Sequence, residues 1–228
     1  MEKLILDSFD FSVPEDDFFR AVKISRDDDP ELADEAAEVL SVCLKTARPR
    51  AVCVCAPVSV HKNTVTVGNT VFENEFVAEK LSGCGICVPY IGTCGREAEA
   101  WSKSLSDPLH LCWADEIKLM LHKKAMMFLR REVKRLWFPS AEHLTSINPG
   151  SLKHWPLEGQ RDLFAALDGG AEEIGVELTP SLLMLPAKSS SGIFFSSSKE
   201  YENCELCPRT DCPNRRVEFS GNTDWRNR

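Results

Sequence analysis

From Asp107-Pro108 onward the chain carries its longest helical pattern. Trp113, Ile117, Leu121, Ala125, Phe128 and Leu136 fall on one side, and Asp115, Lys118, Arg131 and Lys134 fall largely on the other. An aspartate before a proline starts a helix well: its carboxylate caps free N–H groups, and proline has no N–H to lose. A helix this long with one apolar side has to bury that side against another layer. Apolar, β-branched segments supply such a layer. RAVCVCAPVSV at 50–60, two short alternating runs around Gly68-Asn69, and CGICVPYIG at 84–92 predict a sheet of at least four strands. A second amphipathic helix precedes them, opened by Asp29-Pro30, with Leu32, Ala36, Leu40, Cys43 and Ala47 at helical spacing until Pro49. After a turn-rich stretch around Pro149-Gly150, the pattern predicts a short helix at 160–167, a strand around 177–185 and another strand in SSSGIFF at 189–195.

Elements of both kinds with no internal repeat point to one α+β domain over 1–198 and a cysteine-rich tail over 199–228. The formal charge of −8 is local. Residues 1–35 hold 12 acids against 4 bases, and the body is balanced, which argues against a nucleic-acid footprint. The N-terminus has no basic segment followed by an apolar core, and the longest apolar run, 51–60, is too short to span a bilayer. A cytoplasmic protein with no membrane association is the expectation.

In a reducing compartment, many thiols suggest metal ligation or redox chemistry rather than disulfides. Of ten cysteines, three crowd into the tail as Cys204, Cys207 and Cys212. Two thiolates two residues apart can grip one metal, and a third five residues on can close the same face. Prolines after Cys207 and Cys212 keep the loop irregular. An iron–sulfur cluster suits such a site, with zinc as the alternative, and Arg209, Arg215 and Arg216 would offset its negative charge.

A fourth ligand must come from elsewhere, and Cys94 is the candidate, in the turn Gly92-Thr93-Cys94-Gly95 that enters a helix. A helix N-terminus favours a thiolate. The same residue also reads as a redox-active thiol or a small buried side chain. Cys53 and Cys55 share a strand face and read as core; Cys84 and Cys87 would point to opposite faces of a strand, so they too read as core. The histidines show no metal spacing, and no phosphate-binding glycine loop or nucleophile elbow occurs.

The stretch 144–195 resembles the C-terminal half of the activation, or AdoMet-binding, domain of cobalamin-dependent methionine synthase. The resemblance rests on Pro149-Gly150, the helical segment 160–167, Leu178-Thr179-Pro180-Ser181 and Ser189-Ser190-Ser191-Gly192. It implies a helmet-like α+β fold, with a bent antiparallel sheet and flanking helices, that docks on a corrinoid-binding protein or cobalamin-dependent methyltransferase. It further implies reductive activation of the corrinoid with AdoMet as methyl donor. Asn148, Pro149, Gly150, Ser189, Ser191 and Gly192 would then line the cleft, while a tail-bound cluster would relay electrons.

One departure is plain. The family's Arg-Pro-Ala-x-Gly-Tyr loop is here Ser146-Ile147-Asn148-Pro149-Gly150-Ser151, without the arginine that holds the methionine carboxylate or the tyrosine that backs the ligand. No Asp-x-His-x-x-Gly corrinoid signature occurs, so the expected activation is in trans. The alternative is a zinc-stabilised interaction protein that keeps the fold and not the AdoMet site.

Overall fold

The computed structural model describes residues 1–199, 201–209, 211–212 and 215–225. Its strands are β1 (Glu2–Leu6), β2 (Arg50–His61), β3 (Thr64–Val67), β4 (Thr70–Phe72), β5 (Ile86–Thr93), β6 (His143–Ile147), β7 (Glu177–Leu178), β8 (Met184–Leu185) and β9 (Ser189–Ser197). Its helices are α1 (Glu15–Val22), α2 (Pro30–Thr46), α3 (Glu75–Lys80), α4 (Arg96–Lys103), α5 (Pro108–Trp137), α6 (Gln160–Ala166) and α7 (Gly170–Glu173). A seven-stranded sheet runs β4-β3-β2-β5-β9-β6, with β1 also on β2, and every pairing in it is antiparallel. The helix-flanked antiparallel sheet is therefore the one expected.

Local chemistry explains the element ends. Asp29 accepts from the Leu32 N–H at 3.0 Å and Pro30 follows it, while Asp107 accepts from Leu109 and His110 ahead of α5. Gly68, at φ 59°, turns β3 into β4. Period-two alternation then sorts the sheet into two faces. Ala51, Cys53, Val88, Tyr90 and Phe194 pack under Leu129 and Val133 of α5. Val52, Val54, Ile91, Ile193 and Phe195 face Leu163 and Ala166 of α6 and Leu81.

Two readings change, although the first half of α5 packs the expected Trp113, Ile117 and Leu121 against Phe18, Ala36, Leu40 and Cys43 of α1 and α2. Between these helices Lys118 is buried, donating to Glu99 at 3.0 Å and Ser102 at 2.9 Å, whereas Leu136 is exposed. The strand expected over 177–185 is instead the short pair β7–β8 around a turn, in which Thr179 accepts from the Leu183 N–H.

The tail is not an appendage. Leu206 and Trp225 are each 2% exposed and belong to the cluster beneath the α6 face, Trp225 lies edge-on to Phe76 at 5.5 Å, and His154 donates to the Thr223 carbonyl at 2.8 Å. The division expected at residue 198 therefore does not separate two cores. Among the described residues no helix is long and apolar enough to cross a membrane. Trp225→Ala should lower unfolding stability by about 3–5 kcal/mol in urea titration. A loss below about 1 kcal/mol would return the tail to the status of a loose extension.

Candidate functional site

Five elements bring polar groups together at the end of β6. Asn148, just past that strand, donates through Nδ2 to the Tyr90 hydroxyl of β5 at 2.8 Å and to the Ser191 carbonyl of β9 at 2.6 Å. The Ser191 hydroxyl donates to Gln160 Oε1 of α6 at 3.0 Å. From the tail, Asn203 Nδ2 donates to Asn148 Oδ1 at 3.3 Å. A side chain at Gly192 would meet the Asn148 amide, the Ile147 carbonyl at 2.5 Å and the Tyr90 hydroxyl at 2.7 Å, so only glycine lets these strands converge. Pro149 is buried, and Gly150, at φ 76°, turns the chain back so that its N–H donates to the Trp155 carbonyl.

Electrostatics here favour neutral groups. Burial pushes the Tyr90 phenol up, opposed by the Asn148 and Ser146 side chains beside its hydroxyl. Tyr90 stacks on Phe194 with ring centroids 4.1 Å apart. Among the described residues one atom in the cluster is unsatisfied: the buried Oδ1 of Asn203 has no hydrogen-bond donor. A buried acceptor left unmade is costly, so it marks where a donor is missing.

Of the sequence candidates, Asn148, Pro149, Gly150, Ser191 and Gly192 meet at this junction. Ser189 does not take part: it lies at the start of β9, its hydroxyl 2.8 Å from Thr93 Oγ1 and 2.7 Å from the Pro186 carbonyl. Tyr90, Gln160 and Asn203 were missed. Tyr90 sits inside an apolar strand, and Asn203 hides beside the more conspicuous Cys204.

The sequence matches no family model and no curated protein. Compared by structure, the chain is similar to the MetH reactivation domain, solved bound to AdoHcy, with a TM-score of 0.61 and 16% identity over 90% of this chain and 82% of that one. This protein has the reactivation-domain fold.

On that reactivation-domain fold the cysteines do not gather as expected. Among the described residues no group of three or more His, Cys, Asp or Glu side chains could hold a metal ion. Cys94 is fully buried beneath α2 and α5, where burial pushes its thiol up to about 12, and Cys43 beside it is raised to about 12 for the same reason. The thiolate expected at a helix N-terminus is thus corrected: desolvation outweighs the helix dipole. Cys204 and Cys207 are half-buried, and their carbonyls accept from Arg215 at 3.1 and 2.9 Å. The tail loop is therefore tied through its backbone by a guanidinium.

His122 of α5 pairs with the Ser190 hydroxyl at 2.8 Å, and burial lowers its pKa from 6.5 to about 4. The unfolded chain therefore binds one more proton than the fold between those values. This contribution to stability is complete above pH 6.5 and is lost as pH falls towards 4. Urea titrations should show about 2 kcal/mol less stability at pH 5 than at pH 7 from this group, a component that His122→Gln removes. Gly192→Ala should cost about 1–3 kcal/mol by the same measurement. A neutral result would mean that the Asn148 amide can move aside.

Proposed function

We propose that this protein is an activation module for a corrinoid-dependent methyltransferase, acting in trans, and that its cleft takes AdoMet or AdoHcy. The observation that carries the reading is the reactivation-domain fold, which extends over nearly the whole chain and whose solved counterpart holds AdoHcy. The polar junction of Asn148, Gly192 and Asn203 supports it.

In this reading the chain supplies position rather than chemistry. Ser146 stands where the family resemblance would put the arginine that holds the methionine carboxylate, so that clamp is missing at this position; the ligand's amino end we assign to a separate, uncharged acceptor, the Asn203 Oδ1. Tyr90 and Gln160 hold Asn148 and Ser191 in place. Gly150 and Gly192 let the chain turn and the strands close up, which sets the positions of Asn148 and Ser191. Iron–sulfur or zinc ligation by Cys204, Cys207 and Cys212 enters no step, because the described residues do not form a metal site.

Calorimetry with AdoMet and AdoHcy on the full chain should give saturable heat, with about tenfold weaker binding in Asn203→Ala, the scale of one lost hydrogen bond. Titrating the protein into a corrinoid protein carrying cob(II)alamin should shift the visible spectrum. No heat at millimolar ligand would reject the AdoMet role, and an unchanged spectrum would reject the activation role. Both failures together would leave an interaction protein that keeps only the fold.

A further inference from the structure

A second concave region lies on the α5 side of the sheet, away from the Asn148 junction. It is a cavity of about 470 Å³ between the C-terminal half of α5 and β6, the edge strand of the sheet. Cavities of several hundred cubic ångströms are the ordinary size for small-molecule sites.

Its charge is one-sided. Arg130 and Lys134 stand one helical turn apart and both line it, with Arg131 between them and His143 opposite. Arg130 donates to the Leu144 carbonyl and Lys134 to the Ala141 carbonyl. Those bonds aim the two cations without neutralising them. Among the described residues neither has a carboxylate partner. Of the two acids in the lining, Glu202 is already paired with Arg216 at 2.6 Å, and Glu142 lies 3.8 Å from His143. Arg131 is 3.4 Å from Glu132 and lies over the Phe128 ring. In a chain whose formal charge is −8, this is a basic island and not a general property. Clustered like charges repel, and a multivalent anion relieves that repulsion.

Two features decide the kind of anion. The Leu144 carbonyl faces outward to Arg130, so in an antiparallel strand its N–H shares the same outer edge and adds a donor. A bare edge strand would also invite an acidic peptide to add as another strand. The tail already lies along part of this edge, which disfavours strand addition: the Thr145 hydroxyl donates to the Tyr201 carbonyl at 2.6 Å and Asn203 donates to Asn148 beyond it. Met127, 54% exposed, offers an apolar contact for an organic body beside the charge.

We propose that the α5–β6 groove binds the phosphate group of a small molecule of nucleotide size. Guanidinium and ammonium donors hold the phosphate oxygens, and Met127 with the Leu144 edge takes the remainder. The site stands independently of the AdoMet reading, since AdoMet carries no phosphate.

The test is calorimetry on the full chain in phosphate-free, low-salt buffer with ADP, inorganic pyrophosphate and adenosine. ADP should bind, adenosine should give no heat at the same concentration, and affinity should fall as salt rises. Pyrophosphate binding without ADP binding would keep the phosphate site and assign it to an inorganic ligand. Lys134→Gln and Arg131→Gln should each weaken binding about tenfold, the scale of one lost charge-assisted contact. Among the described residues Arg131 caps no main-chain carbonyl, so its variant keeps the fold even if the Lys134 variant loosens the turn after α5. No heat from ADP or pyrophosphate at millimolar concentration, equal binding of adenosine and ADP, or binding unchanged in both variants would overturn the proposal.

Discussion

With no side chain at Gly192, β9 can run close beneath the Asn148 amide, and the polar junction depends on that approach. A Cβ there would collide with the amide, a main-chain carbonyl and the Tyr90 hydroxyl at once. Strand β9 sits between β5 and β6, so it joins segments that are distant in sequence: Tyr90 arrives on β5, Asn148 at the end of β6, and Ser191 on β9 itself. Each side chain spends its hydrogen-bonding capacity on another member of the group. Networks of this kind are strong when complete and costly when broken. The acceptor of this group left unsatisfied among the described residues, Asn203 Oδ1, therefore stands out chemically as well as geometrically.

Packing, not composition, gives the described residues of the tail their role. Leu206 and Trp225 are buried in the same cluster as Val52 and Phe195, and burying side chains of that size contributes about 1.5–3 kcal/mol each. Arg215 ties the intervening loop by donating to the carbonyls of Cys204, Cys207 and Val217. The tail reads as polar because its few apolar residues are widely spaced. Those two anchors, with the His154–Thr223 bond, tie the described part of the segment to the body.

Much of the framework was legible because its signals are local. Asp29-Pro30 and Asp107-Pro108 start helices by capping, and Gly68 reverses a hairpin by its positive φ. What stayed hidden depends on tertiary neighbours. Lys118 looks like a solvated face residue until α4 brings Glu99 and Ser102 to it, and a buried lysine is tolerated only with such partners. Cys94 looks like an activated thiol until α2 and α5 close over it. Tyr90 is hidden in an apolar strand, since its hydroxyl acquires meaning only from Asn148, more than fifty residues later in the chain.

The junction and the basic groove are separate chambers with a shared wall. Arg130 lies over the Phe194 ring at 5.7 Å, Phe194 stacks on Tyr90, and Tyr90 holds Asn148. The tail touches both chambers within three residues, because Tyr201 and Glu202 line the groove while Asn203 enters the junction. A displacement of this segment changes the two together: losing the Thr145–Tyr201 bond opens the groove along β6, and losing the Asn203–Asn148 bond uncovers the amide. The contacts the two regions share therefore run both through the first residues of the tail and through the close-packed Tyr90–Phe194 stack.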